Sequence, residues 1–317
     1  MSTTHSTPDP GLVLPYTVVG RRPGAPGGGP ALILLNRSSR LVRRDYLAEL
    51  IAAGFTEIIS VEPQENSFSV EALNQEFPAV RFLLLRESRD VGTRINLAAS
   101  IVDADSFIVM WSSMNPPGDL SRPGELFKDP GTVCVAPALR GDHGESLPVV
   151  QVPALQRRSL RILPLPLRGQ PAATLFPFDF AGMYHRSRFL ESGGYDERIQ
   201  QPFWQKLDFG FRLAMWNQRI LVSPVLRMSY RTMPDPEDQT PTPGYARFFA
   251  RNLAVRLRDN HPTVPRIQAF PFAFRAGLGL RQTLRTFSEA SQWVEQKKDL
   301  FRRDARQVIN EWSDGHG

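Results

Sequence analysis

Cysteine is almost missing from this 317-residue chain, and lysine is nearly so. The one cysteine, Cys134, lies in the apolar run Thr132-Val133-Cys134-Val135-Ala136. No disulfide can form within the chain, which suits a reducing compartment. A lone cysteine on a strand-like run reads as a small buried hydrophobe rather than a nucleophile. The histidines at 5, 143, 185, 261 and 316 have no ligand spacing, so no zinc site is expected. No run of about 18 apolar residues is present to span a bilayer, and the N-terminus lacks a charged-then-apolar signal pattern. The expected location is cytoplasmic, with peripheral contact at the inner membrane face as the one membrane option. Lysine occurs only at 128, 206, 297 and 298, so the net charge of +6 rests on arginine. Such a balance suits nucleotide diphosphates or lipid headgroups, and a plain solvated face is the alternative. Nucleic acid is not expected as a partner, because no zinc-finger, RRM or similar motif is present.

The 41% of hydrophobic residues can fill one large core or two ordinary ones. Residues 1–30 are rich in Thr, Pro and Gly and end in Pro23-Gly24-Ala25-Pro26-Gly27-Gly28-Gly29-Pro30, which predicts a disordered tail. Those glycines precede a strand instead of joining strand to helix, so they support neither a P-loop nor a dinucleotide site. Residues 31–231 alternate strand-like and helix-like pieces. A Pro/Asp-rich linker follows at 232–244, and 245–317 reads as a helical extension.

Short apolar runs at Ala31–Leu35, Glu57–Val61, Val80–Leu85 and Phe107–Trp111 predict buried strands. Helical spacing of Leu41, Tyr46, Leu47, Leu50 and Ile51, closed by Gly54, and a helix over Thr93–Val102 lie between them. Strands alternating with helices predict an α/β fold with a mixed, mainly parallel sheet flanked by helices. Ligands of such sheets bind at the carboxyl ends of strands. The residues there are Asn36-Arg37, Glu62, the stretch Arg86 to Arg94, and Ser112 to Asn115. Glu62, a carboxylate at a strand end, can accept hydrogen bonds from a ligand's N–H or hydroxyl groups. In Asp90-Val91-Gly92-Thr93-Arg94-Ile95-Asn96, Gly92 allows close backbone approach, and Arg94 can reach a phosphate at a helix start.

The stretch from Phe178 to Arg231 is the most informative. Phe180-Ala181-Gly182 ends a strand, and Arg186-Ser187-Arg188-Phe189 turns. Gly193-Gly194-Tyr195-Asp196-Glu197 precedes a helix carrying Asp208-Phe209-Gly210-Phe211-Arg212, and a strand follows near Ile220–Val222. This order resembles the acceptor half of family-two glycosyltransferases of the GT-A fold, roughly G…R…F…GGFDE…EDxDLxxR…G…I. The resemblance covers about residues 31–260 and implies a hexosyltransferase-like enzyme of polysaccharide biosynthesis. It implies a donor side of Asn36, Arg37, Glu62, Gly92, Arg94, Asn96 and Ser113. It implies an acceptor side of Gly193, Gly194, Asp196, Glu197 and Arg212. The chain also departs from the pattern. Gln205-Lys206 replaces the Glu-Asp of the base, and Trp111-Ser112-Ser113 replaces the metal-holding Asp-x-Asp. The late histidine is replaced within Ser229-Tyr230-Arg231. Serine and asparagine are poor ligands for magnesium or manganese, so the divalent cofactor of the family is doubtful here.

Two functions fit these departures. One is a metal-independent glycosyltransferase acting on a nucleotide-sugar and a glycan or lipid-linked acceptor. Arg94, Lys206, Arg212 and Arg231 would be its cations, and Asp208 its base. The same Asp208–Arg212 spacing is equally that of a helix-stabilising ion pair. The other is a degenerate member that binds nucleotide or glycan, or acts as a scaffold subunit. A nucleotidyltransferase would want a Gly-Lys-rich loop after the first strand, which is absent. Residues 137–177 read as an irregular Pro/Arg-rich insert, either an acceptor-covering loop or disorder. The C-terminal stripes (Phe270, Phe272, Phe274, Leu278, Leu280, then Leu300, Phe301, Ala305, Val308, Ile309, Trp312) read chiefly as packing on the catalytic domain or pairing two subunits. A basic membrane-touching surface is the alternative.

Overall fold

A computed structural model describes residues 16–22, 29–37, 44–118, 120, 123–156, 159–241, 243–277 and 279–314. The central sheet contains the strands expected from the apolar runs: β2 (Ala31–Leu35), β3 (Glu57–Pro63), β4 (Val80–Leu85) and β5 (Ser106–Trp111). They pair in parallel in the order β4-β3-β2-β5. Every residue of β2, β4 and β5 is buried, as continuous Val/Ile/Leu/Phe runs require when helices cover both faces. The covering helices include α1 (Arg44–Ala52), α2 (Ser67–Glu76) and α3 (Val91–Ile101). Leu41 of the first predicted helix lies outside the described residues.

One strand falls inside the expected tail. β1 (Tyr16–Val19) pairs antiparallel with β4, Tyr16 opposite Leu85 and Val19 opposite Phe82. Its β-branched residues satisfy an edge that β4 would otherwise leave unpaired. On the other side, β6 (Met114–Asn115), β7 (Thr132–Arg140), β10 (Ala172–Thr174), β11 (Gly182–His185) and β12 (Arg219–Tyr230) extend the sheet in the order β5-β11-β7-β12-β10, with β6 also on β12. β11 runs antiparallel between β5 and β7, so the sheet is mixed. Cys134 is buried on β7, as its apolar run predicts.

The expectation of an irregular insert over 137–177 needs correction. β8 (Val150–Gln156) and β9 (Ser159–Leu165) form a hairpin in continuous register from Val150 opposite Leu165 to Gln156 opposite Ser159. Prolines 153 and 164 concealed it in the sequence. Both are tolerated because a two-stranded ribbon consists only of edges.

Helices α5 (Arg186–Glu191) and α6 (Pro202–Met215) connect β11 to β12, with the short α4 (Pro123–Leu126) earlier in the chain. The last third of the chain is not wholly helical. α7 (Pro243–Phe248) runs into a π-turn, and a small hairpin of β13 (Arg256–Arg258) and β14 (His261–Thr263) follows before α8 (Ala269–Ala276), α9 (Leu280–Gln296) and α10 (Ala305–Asp314). Leu207, Phe211 and Met215 of α6 form one apolar cluster with Phe248, Phe272, Phe287, Phe301 and Val308. Phe301, Ala305, Val308 and Ile309 of the C-terminal stripe therefore share a core with α6, whereas Leu300 is exposed. Among the described residues no helix is long and apolar enough to cross a membrane.

Candidate active site

The order of the parallel strands fixes where a ligand can enter. From β2 the chain moves outward through β3 and β4, then returns to the opposite side of β2 with β5. Between the carboxyl ends of β2 and β5 lies the switch point at which such sheets open a crevice. Asn36 and Arg37 leave β2 there, opposite Trp111 and Ser112 at the end of β5, Leu35 being in register with Trp111.

Asn36, Glu62, Arg94 and Ser112 are brought together. The Ser112 hydroxyl donates to Asn36 Oδ1 at 3.1 Å, and an Arg94 N–H donates to the Asn36 carbonyl at 3.3 Å. Glu62 is buried and accepts from Ser60 at 2.8 Å and from Asn66 at 3.2 Å. Burial pushes its carboxyl above the usual carboxylate range, while Ser60, Asn66, Asn36 and Arg94 oppose the rise. Burial likewise lowers Arg94, opposed by Asp90 and Glu62. Ser113 lies on the same loop, its hydroxyl buried without a hydrogen-bond partner and its carbonyl accepting from Arg231 N–H at 2.7 Å.

The centre of the site is Asp179, which the sequence reading passed over. It sits in Phe178-Asp179-Phe180 just before β11, with φ of +53° at Asp179 and +62° at Phe180. A left-handed conformation is uncommon for Asp and a true outlier for Phe, and such strain gathers at functional sites. Three groups from distant segments hold it. The Trp111 indole N–H donates to the Asp179 carbonyl at 2.9 Å, and the Tyr230 hydroxyl donates to Oδ2 at 2.6 Å. Arg37 forms an ion pair with Oδ2 while its guanidinium lies 3.8 Å from the Trp111 ring centre. No described donor reaches Oδ1. Burial pushes the Asp179 carboxyl upward, against the pull of Arg37, Lys206 and Tyr230.

Lys206 continues the array. Its ammonium lies over the rings of Phe176 and Phe180, at 5.2 and 5.3 Å, and donates to both carboxylate oxygens of Glu237 at 2.7 and 2.8 Å. Glu237 belongs to the proline-rich segment 233–241. Arg37, Asp179, Lys206 and Glu237 thus alternate in charge along the wall of a cavity of about 1350 Å³. The rest of that wall is largely apolar, with Phe176, Phe178, Phe203, Trp204, Tyr245 and Phe272 among its residues.

The remaining expected site residues lie elsewhere and are occupied in holding the fold. Asp208 is 0% exposed, does not line the cavity, accepts from Asn252 at 2.8 Å and lies 3.4 Å from Arg212. Its surroundings are those of the ion-pair alternative. Burial lowers the Arg212 guanidinium, which Asp208 opposes. Arg212 donates to the carbonyls of Ser192 and Gly194 and so supports the Gly193-Gly194 turn from beneath. Both glycines have positive φ, and a Cβ on Gly194 would lie 2.3 Å from Asn96 Oδ1. Asn96 clamps the backbone of Tyr195, accepting from its N–H at 2.9 Å and donating to its carbonyl at 2.8 Å. It also donates to the exposed Glu197 at 3.3 Å. Asp196 is taken by Arg247 at 2.6 Å and by Arg251. Gly92 does not present its N–H to a ligand: Gln205 Oε1 accepts from it at 2.9 Å, and a Cβ there would meet Gln205 and Tyr195 at 2.5 Å. The Arg231 side chain is bound to Glu49 and to Asn115.

No family model matches the chain, and no curated protein sequence matches it. Solved structures do. A structure of GalNAc-T7 with UDP, GalNAc and Mn2+ superposes with a TM-score of 0.58 at 12% identity, covering 89% of this chain. The chain spans 56% of that protein's length. The mannosyltransferase PcManGT of Pyrobaculum calidifontis, in complex with GDP-Man and Mn2+, gives 0.46 at 11% identity, covering 89% of this chain and 79% of the other. S. aureus TarS 1–349 gives 0.45 at 13% identity, covering 82% and 71%.

The fold is that of GT-A-type glycosyltransferases. In the family-two pattern that the sequence resembles, a metal-holding Asp-x-Asp corresponds to Trp111-Ser112-Ser113 of this chain. Here that place is taken by Trp111, with the guanidinium of Arg37 stacked on its ring. Among the described residues no three His, Cys, Asp or Glu side chains group together as a cation site. An indole carrying a guanidinium supplies no oxygen ligands and repels a dication, so Trp111 and Arg37 do not fit a divalent cation.

Proposed function

We propose that the chain is a glycosyltransferase that moves a sugar from a nucleotide-sugar donor to a hydroxyl of a glycan or lipid-linked acceptor. One observation carries the reading. Asp179 is a buried, cavity-lining carboxylate at the switch point of a GT-A sheet, with a cation on either side.

In this reading the donor nucleoside lies over Asn36, Glu62 and Arg94, whose polar groups cluster beside the crevice. The diphosphate is drawn to Arg37 and Lys206, since charge-assisted bonds in a water-poor cleft stabilise a developing anion strongly. Glu237 already occupies Lys206, so the donor displaces it. Asp179 takes the proton of the acceptor hydroxyl on Oδ1 as the acceptor oxygen bonds to the anomeric carbon. The bond from that carbon to the diphosphate oxygen breaks, and its electron pair leaves with the nucleoside diphosphate. Burial favours this role, because a base whose carboxyl is pushed upward is a better proton acceptor near neutral pH. The aromatic wall from Phe176 to Tyr245 is where the acceptor binds.

Calorimetry with UDP-, GDP- and dTDP-sugars, with manganese and again with EDTA, tests the reading. Binding of one donor that survives EDTA is the expected result, and no binding of any donor to folded protein would overturn it. A second reading, a non-catalytic binding subunit, is favoured by Gln205. It stands where the family carries its base, is 0% exposed, and donates to Asp90 and to the Asp196 carbonyl besides accepting from Gly92. Donor binding without release of nucleoside diphosphate across an acceptor panel would select it.

A further inference from the structure

Helix α8 has two faces in different surroundings. Pro271, Phe272 and Ala276 line the large cavity, as does Gln268 just before the helix. Away from the cavity, Phe270 and Phe274, one turn apart, are 53% and 91% exposed. Ile267, one turn earlier, is 76% exposed. Leu280, just past the Gly277 turn, is also exposed. Single apolar residues on a surface are ordinary, but large ones at successive turns of one face are not.

The segment that carries this face has charged residues of one sign. From Asn260 to Ser288 the chain has arginines at 266, 275, 281 and 285, and no aspartate, glutamate or lysine. Arg266 and Arg281 are exposed, and Arg285 is exposed beside Glu289. A two-fold contact with a second copy would set this arginine-rich patch against itself. An anionic lipid surface complements both features, since it takes apolar side chains at the acyl boundary and arginines at the phosphates.

We propose that α8 and the first turn of α9 dock this protein on an anionic bilayer, with Phe270 and Phe274 inserted and Arg266 and Arg281 on lipid phosphates. The opposite face of α8 lines the cavity, so docking holds the cavity next to the bilayer. That geometry points to a lipid-borne hydroxyl as the acceptor. This last step rests on the glycosyltransferase reading, whereas docking does not.

Flotation of the full chain with phosphatidylcholine vesicles, with and without phosphatidylglycerol, tests the proposal. The protein is expected to float with the anionic vesicles and to be released as salt screens the arginines. Phe270→Ser with Phe274→Ser should weaken binding about tenfold or more, the loss expected for two inserted aromatics. Arg266→Glu with Arg281→Glu should abolish the preference for anionic vesicles. All four positions are exposed and off the cavity wall, and an unchanged melting curve confirms folding. No flotation, or equal flotation of the phenylalanine variant, would overturn the proposal. So would a dimer in solution that the phenylalanine variant dissociates. A chain that floats but binds no nucleotide-sugar would refute the transferase and leave docking standing.

Discussion

Removing the Arg212 guanidinium decides whether Asp208 is a catalytic group or part of the scaffold. In Arg212→Met the side chain keeps most of its length, yet Asp208 is left at 0% exposure with Asn252 as its remaining hydrogen-bond partner. Breaking a buried ion pair by deleting one member costs about 3–5 kcal/mol, because the other charge stays enclosed. The carbonyls of Ser192 and Gly194 also lose their donor, and that loss accounts for about 1–3 kcal/mol of the total. With a urea dependence of about 3 kcal/mol per molar, the unfolding midpoint should fall by roughly 1–1.7 M. Tryptophan fluorescence follows the transition, since Trp216 lies 5.6 Å from the guanidinium. Asp208→Leu in the Arg212→Met background should recover part of the loss, because it removes the stranded charge and leaves the two carbonyls and one Asn252 amide N–H unpaired. A midpoint shift below about 0.3 M, or a double variant no more stable than the single, would refute the scaffold assignment. So would an Asp208→Asn variant that folds as the parent does and turns over no substrate.

Asp179→Asn should lower turnover by about 10²–10⁴, the usual contribution of a positioned base, while donor affinity holds or rises because Arg37 loses its anionic partner. The active form is the carboxylate, whose proton affinity burial raises. Activity should therefore fall as pH drops, along a limb lying above the ordinary carboxylate range and absent from the asparagine variant, as a pH–rate profile would show. Lys206→Met should weaken donor binding by tenfold or more, at about 1.5–3 kcal/mol for a charge-assisted bond. Glu237→Gln should strengthen it by freeing Lys206, and calorimetric titration reads both. Gly92→Ala should destabilise the fold by about 1–3 kcal/mol, since its Cβ enters space held by Gln205 and Tyr195. Thermal melting checks this, and a neutral result would mean that Gly92 had been kept for a ligand.

Several elements were legible in the chain because their signal is local. The four parallel strands announce themselves as short, fully apolar runs, and Gly54 ends its helix with the positive φ that favours glycine. The Gly-Gly-Tyr-Asp-Glu and Asp-Phe-Gly-Phe-Arg motifs stand in the expected order, and what the chain did not show is that Arg212, Gly194 and Asn96 interlock. The β8–β9 hairpin escaped notice because its prolines argue against a strand until its edges are seen to be free. Asp179 left no trace at all: nothing in Phe-Asp-Phe marks a left-handed turn, and its partners lie far away at Arg37, Trp111 and Tyr230.

The sequence by itself therefore determined the alternation of strand and helix, the parallel sheet and the absence of the usual metal and base motifs. Each of these depends on periodicity or on residue identity within a few positions. Only the tertiary structure decided which charges meet. The switch point joins segments from β2, β5, β11 and β12, and whether a carboxylate is enclosed like Asp208 or opens on a cavity like Asp179 depends on those distant neighbours.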